Sequence, residues 1–218
     1  MLTTAYARTE ITLLIVLGGL ATAVVGYYCH WWGLLPAFVA LSLLSFYRHP
    51  RRQPPPGDTL LLAPADGHVV EITRDAEHPD GGRVLRIMIF LAVYDVHVNR
   101  SPCAGRVTGV TYRPGRFLNA LRTEADAVNE CNTVELEPVP PLTGPVRVRQ
   151  IAGVLARRIV CRAQVGDELA AGQPFGMIKL GSRTEVCVPE DARWEVAVAV
   201  GEKVRAGLSI LARWTPPQ

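Results

Sequence analysis

The apolar pattern changes character once along the chain. From Ile11 to Tyr47 there are 37 residues without a single Asp, Glu, Lys or Arg. A straight helix of that length would run roughly 55 Å, against a hydrocarbon core of about 30 Å. His30-Trp31-Trp32-Gly33 and then Pro36 interrupt the run. The pattern therefore predicts a helical hairpin of two short transmembrane spans, about 11–28 and 33–47, with Tyr27, Tyr28 and the Trp pair at an interface. A single tilted span and a cleaved signal peptide are the rival readings; the run is long for the latter and lacks a basic start. Arg48, Arg51 and Arg52 follow at once, which predicts a cytoplasmic location for what comes next. Gln53–Asp58, with three prolines, reads as a stiff linker.

Beyond it, short apolar stretches alternate with Gly, Pro or Asp: Leu60–Ala63, Val69–Ile72, Val84–Leu91, Arg106–Tyr112, Thr133–Glu137, Val146–Ala152, Arg158–Ala163, Phe175–Leu180, Glu185–Val188 and Trp194–Val198. Their length and β-branched content predict a mainly β domain over 59–218. One helix is expected at Arg116–Asn129, where Phe117, Leu118, Leu121 and Ala125 recur on one face. That stripe either packs on the sheet or touches lipid. The octet Val165–Gly172 is echoed by Val200–Gly207, both fitting V-G-[DE]-x-[LV]-x-A-G. The glycines permit positive-φ turns between strands. This repeat resembles the lipoyl or biotinyl carrier sandwich, so the expected fold is a β-rich α+β, barrel-sandwich-like domain with one or two short helices. Neither lysine of the chain, Lys179 or Lys203, lies in a carrier's modification sequence.

Charge adds a location. Arg8, Arg48, Arg51 and Arg52 against Glu10 account for the whole net +3; the other 166 residues balance, 19 basic against 19 acidic. A balanced domain lacks the basic surface a nucleic-acid binder needs. Five cysteines without CxxC spacing or paired histidines make neither a zinc site nor a disulfide framework.

Four segments carry candidate chemistry. Pro64-Ala65-Asp66-Gly67 is a turn after an apolar stretch. In Phe90–Pro102, Asp95 and His97 fall on one side of an expected strand, which suits an oriented base. Asn129-Glu130-Cys131-Asn132 is a polar break before a strand; Cys131 reads as a small buried thiol. The last is Lys179–Glu185, with Gly181-Ser182 at its centre.

Together and in this order, with Gln150–Val160 and Gly176–Arg183, these segments resemble the short-form phosphatidylserine decarboxylases over most of the chain. The resemblance implies a membrane-bound lyase made as a zymogen. The Ser182 hydroxyl would attack the Gly181 carbonyl, and elimination and hydrolysis would leave a pyruvoyl group derived from Ser182 as covalent cofactor. The products would be a large chain, 1–181, and a small one, 182–218, held as a heterodimer, with a higher homo-oligomer left open. The pyruvoyl ketone would form a Schiff base with phosphatidylserine, releasing CO₂ and phosphatidylethanolamine. His97, oriented by Asp66 or Asp95, would be the base for cleavage, the acid for decarboxylation, or both. Arg100, Arg116 and Arg183 are phosphate-binding candidates from charge alone. Two departures stand out: Arg100 takes the place of a second histidine, and Cys131 that of an arginine. The alternative function is a membrane-tethered lipoyl-like carrier or adaptor without catalysis.

Overall fold

The computed structural model describes residues 5–77, 82–119, 124–154, 158–179 and 182–216. The chain divides into two units, Met1–Arg51 and Arg52–Gln218. In the first, helix α1 (Arg8–Cys29) and helix α2 (Leu34–Phe46) are joined by a 3₁₀ turn at His30–Gly33. A Cβ on Gly33 would lie 2.8 Å from Gly26 Cα, and one on Gly18 lies 2.6 Å from Ala40 Cβ. Both touching pairs sit the same distance either side of the turn, so the helices run antiparallel, with small residues letting the backbones approach. Leu17, Phe38 and Leu41 are among many exposed large apolar side chains, so apolar residues cover the hairpin all round. That suits lipid better than water. The stretch Arg8–Phe46 is long and apolar enough to cross a membrane.

The second unit is mainly β, as its pattern predicts. Its strands are β1 (Leu60–Leu62), β2 (Gly67–Glu77), β3 (Arg83–Leu91), β4 (Val98–Arg100), β5 (Gly105–Arg113), β6 (Cys131–Pro138), β7 (Val146–Ala152), β8 (Ile159–Cys161), β9 (Glu168–Leu169), β10 (Pro174–Ile178), β11 (Ser182–Pro189), β12 (Trp194–Val196), β13 (Lys203–Val204) and β14 (Ile210–Trp214). An eight-stranded sheet has the order β13-β2-β3-β11-β7-β6-β5-β9, and two three-stranded sheets read β1-β14-β12 and β4-β10-β8.

These registers repeat. Lys203 and Val204 pair with His68 and Gly67, as Glu168 and Leu169 pair with Arg106 and Gly105. A bulge after Val69 in β2 recurs after Val107 in β5. Val69 exchanges backbone hydrogen bonds with Gly201 and Glu202, and Val107 with Gly166 and Asp167. The β1–β14 pairing is copied, bulge included, by β4–β10. Leu62 N–H donates to Pro102 O, and its counterpart Arg100 N–H donates to Pro64 O. The domain is thus two copies of one unit about a pseudo-two-fold axis that passes between β11 and β7, through the Val186–Val148 pair. The sequence repeat marks the two edge turns, whose ends, Gly172 and Gly207, touch. A Cβ on Gly67 would sit 2.0 Å from Phe90 O, and on its counterpart Gly105 2.5 Å from Glu137 O, so neither turn admits a side chain.

The inward face of the big sheet is apolar along most of its length. Leu85, Ile87, Ile89, Val134, Leu136, Val146, Val148, Val186 and Val188 join one buried cluster with Trp194 and Trp214. Among the described residues the expected helix at Arg116–Asn129 is reduced to one short turn. Helix α3 covers only Ala125–Val128, residues 120–123 lie outside the described residues, and 116–119 are not helical. Two contacts explain this. Arg116 exchanges backbone hydrogen bonds with Val128 and Glu130. The Asn129 side chain grips both Leu118 N–H and Leu118 C=O at 2.9 Å, which removes those groups from any helix ladder.

Candidate active site

Ser182 begins β11, between Leu91 of β3 and Ala152 of β7. It is fully buried, and its Oγ has no hydrogen-bond partner among the described residues. A buried hydroxyl left unpaired is costly and uncommon. Gly181, the other side of that peptide bond, lies outside the described residues.

His97 is also fully buried. Residues 92–97 form a turn rather than part of a strand, so Asp95 and His97 are not presented by strand alternation. The Asp95 carboxylate accepts from Ala92 N–H at 2.9 Å and stiffens the turn, while the Asp95 carbonyl contacts His97 Nδ1 at 2.9 Å. A carbonyl oxygen only accepts, so Nδ1 carries a proton, and in the neutral ring Nε2 is the basic nitrogen. His97 O accepts from Ile178 N–H, which ties the turn to β10 just ahead of the Ser182 segment. Asp66 is held elsewhere: its carboxylate takes both Arg52 guanidinium nitrogens and the Ala206 N–H, at 2.8 Å for Nη2 and for the amide. Arg52, read from the sequence as part of a basic flank, also bonds Ala206 O and is buried.

The three arginine candidates separate. Arg100 is buried and donates to Gly172 O at 2.9 Å. Arg183 pairs with fully buried Glu185 at 2.8 Å, and Arg149 joins Glu185 at 3.0 Å. Burial pushes the Arg183 guanidinium below its usual value, with Arg86 adding to the shift and Glu185 and Glu71 opposing it. Arg116 is exposed.

Sequence reasoning missed a buried polar chain beside these groups. Asn132 donates to Gln150 Oε1 (2.9 Å), Gln150 to Asn99 Oδ1 (2.8 Å), and Asn99 Nδ2 to Thr184 Oγ1 (3.1 Å) and Pro64 O (3.4 Å). All four side chains are essentially without solvent contact. One signal was available: Val146, Val148 and Gln150 share a strand face, so a glutamine stands where the apolar alternation calls for another aliphatic. Asn129, which opens one of the four candidate segments, donates to Ala152 O at 2.8 Å beside Ser182, a contact that its sequence position does not reveal.

Val93, Tyr94, Phe117, Val128 and Val154 are exposed apolar side chains on segments that leave this same end of the sheet. The opposite end holds an open cleft of about 1100 Å³, lined by Ala104, Gly105, Pro138, Leu142 and Gly144 among others. By the pseudo-symmetry Ala104 corresponds to Asp66 and Gly144 to Ser182. The cleft is the site's counterpart without its chemistry.

Fold and site together define a duplicated β-rich domain with one chemically equipped end, in a chain with an apolar helical segment. Comparison with known proteins supplies the class: residues 39–212 match the phosphatidylserine decarboxylase family. The chain belongs to that family. It is 46% identical over 208 residues, 94% of this chain and 85% of the relative, to a phosphatidylserine decarboxylase proenzyme of Rhodopirellula baltica. It is 45% identical to the proenzyme of Symbiobacterium thermophilum, over 88% of this chain and 89% of the other. With that of Syntrophus aciditrophicus it shares 39%, over 94% and 95%.

Proposed function

We propose that this chain is a phosphatidylserine decarboxylase that makes its own pyruvoyl group by breaking the Gly181–Ser182 bond. The observation that carries the proposal is the fully buried Ser182 hydroxyl, without a hydrogen-bond partner among the described residues, at the head of a central strand and following a glycine. Oγ adds to the Gly181 carbonyl carbon, the C–N bond breaks, and the hydroxyl proton passes to the freed nitrogen, leaving an ester. Loss of the Ser182 α-proton expels the Gly181 carboxylate and leaves dehydroalanine on the new N-terminus. Water then replaces its nitrogen, which departs as ammonia. His97 takes the hydroxyl proton through Nε2, the nitrogen that the Asp95 carbonyl leaves basic. Asp95 holds the turn that carries His97, and the Arg52–Asp66 pair fixes the adjoining Pro64–Gly67 turn.

The site fits such a group. Position 182 is enclosed, and β3 and β7 hold the strand on both sides. Once in place, a pyruvoyl group supplies a ketone that takes up an amine and draws electrons as CO₂ departs. Around it the chain excludes water by burial, and His97 holds the proton that returns to carbon. Arg116 is the exposed cation offered to a lipid phosphate, and the apolar collar of Val93, Tyr94, Phe117, Val128 and Val154 suits acyl chains. The part from 182 onward contributes β11 and β13 to the eight-stranded sheet and β12 and β14 to a three-stranded one, which keeps the cleaved chains together as a heterodimer. The apolar hairpin anchors the domain, with Arg48 and Arg51 favouring the cytoplasmic face.

Mass analysis of the purified protein tests this. Two chains are expected, the smaller about a sixth of the 23.8 kDa total and blocked at its N-terminus by a keto group. A continuous chain with an ordinary serine at 182, or cleaved protein that releases no CO₂ from phosphatidylserine vesicles, would overturn it.

A further inference from the structure

The pseudo-two-fold allows each buried polar residue to be compared with its own counterpart in the same molecule. Asn99 in β4 corresponds to Leu61 in β1, because each faces the equivalent residue across its strand pair, Gly176 and Ala212. Thr184 corresponds to Val146, opposite Ile89 and Leu136 respectively. Gln150 corresponds to Val188, and Asn132 to Leu85, through the same registers. All four counterparts are apolar and buried at 1% exposure. The backbone design therefore accepts Leu and Val at these places. A buried amide chain is not something this fold needs in order to close.

We infer that the Asn132–Gln150–Asn99–Thr184 chain is a positioning device for self-cleavage, with Asn99 as its hub; this rests on the function proposed above. Asn99 stands two residues after His97. Its side-chain NH₂ reaches Thr184, two residues after Ser182 and on the same strand face, and Pro64 O, two residues before Asp66. One amide thus ties together the three segments that carry the chemistry. Pro64 O only accepts, so it sets the Asn99 NH₂ towards it; the Asn99 oxygen then takes the Gln150 N–H and the Gln150 oxygen the Asn132 N–H, which sets the way round of each amide in turn. The Gln150 head group has room because β10 carries glycine there; a Cβ on Gly176 would come within 3.0 Å of Nε2. The counterpart of Gly176 is Ala212. The device acts on geometry, since a nucleophile and base displaced by about 1 Å lose on the order of 100-fold in rate.

The test compares cleavage, folding and turnover in the full-length chain in detergent or native membranes. Asn99→Leu introduces the residue its counterpart carries. It should slow conversion into two chains at least 100-fold, while the thermal midpoint stays within a few degrees of Ser182→Ala, the uncleavable reference. Thr184→Val should slow cleavage about 10-fold and Thr184→Ser hardly at all, a contrast that separates the hydroxyl's role from packing. The fourfold exchange Asn99→Leu, Gln150→Val, Asn132→Leu, Thr184→Val should fold and stay uncleaved. Cleavage by Asn99→Leu at the unsubstituted rate overturns the inference. If Asn99→Leu does not fold, the Thr184 pair decides: equal rates for Val and Ser overturn it as well. Failure of the unsubstituted chain to cleave overturns instead the function on which it rests.

Discussion

The two ends of the β-domain share one backbone design and differ in what their side chains do. At one end the inward face closes with Leu61, Leu85, Val146 and Val188; at the other it carries Asn99, Asn132, Gln150 and Thr184, then Ser182 and Asp66. The apolar end leaves an open cleft with Gly144 where the serine would stand. The difference separates what the fold requires from what chemistry adds, because each end serves as the control for the other. Residues that match across the axis report on stability. Residues that differ report on function.

The largest effects are expected where the ends differ most. Ser182→Ala, which has only Gly144 opposite it, should abolish cleavage and reduce CO₂ release to background, with the intact chain seen by electrophoresis. His97→Ala should slow cleavage by about 10²–10⁴, the range for loss of a positioned base. A cleavage rate within a few-fold of the unsubstituted chain would remove His97 from that role. Next comes the Arg52–Asp66 pair, for which the apolar end offers only Ala104. Removing one member of a buried ion pair costs about 3–5 kcal/mol. Arg52→Met should thus lower the thermal midpoint by roughly 6–20 °C, on a scale of about 2–4 °C per kcal/mol for a domain of this size. Asp66→Ala together with Arg52→Met should recover part of that loss.

Residues at the axis should behave alike. Val186→Ala and Val148→Ala remove two buried carbons each, at about 0.8 kcal/mol per carbon before any cavity contribution. Each should cost about 2 kcal/mol in denaturant unfolding of the uncleaved Ser182→Ala background. A difference above about 1 kcal/mol would mean that the pseudo-symmetry of register does not extend to packing.

Much of this plan is legible in the sequence because it depends on local signals. Strands announce themselves through β-branched runs between Gly, Pro and Asp, and the V-G-[DE] octets mark the two edge turns of the duplication. The order of Asp66, His97 and Gly181-Ser182 is enough to suggest the proposed site. Long-range contacts are not legible. Nothing local announces that Arg52 crosses to Asp66, or that Asn129 reaches back to Leu118 and holds it in a non-helical segment. Strand β4 escapes because three residues carry no period, and β14 because Ile210-Leu211-Ala212-Arg213-Trp214 shows neither β-branched enrichment nor clean alternation. The Asn99 hub is hidden for a different reason: its partners at Pro64, Gln150 and Thr184 are 35, 51 and 85 residues away.

The smallest effect should come from a position where the ends differ by one sulfur. Cys103 occupies the place that Ala65 holds in the other copy, and both are buried. Cys103→Ala should cost less than about 1 kcal/mol near neutral pH, since the fold already accepts alanine there. At alkaline pH its sign should reverse. Burial pushes the Cys103 thiol up to about 12, from an ordinary value of 9.0. The unfolded chain therefore ionises first, and the stability present below pH 9 is lost progressively as pH rises towards 12. Cys187, also pushed to about 12 by burial and by Glu185, adds a parallel loss. In the Ser182→Ala background, Cys103→Ala should flatten part of this decline and be more stable than its parent by on the order of 1–2 kcal/mol at pH 10.5. Parallel pH profiles for the two proteins would show that burial at this position does not hold the thiol protonated.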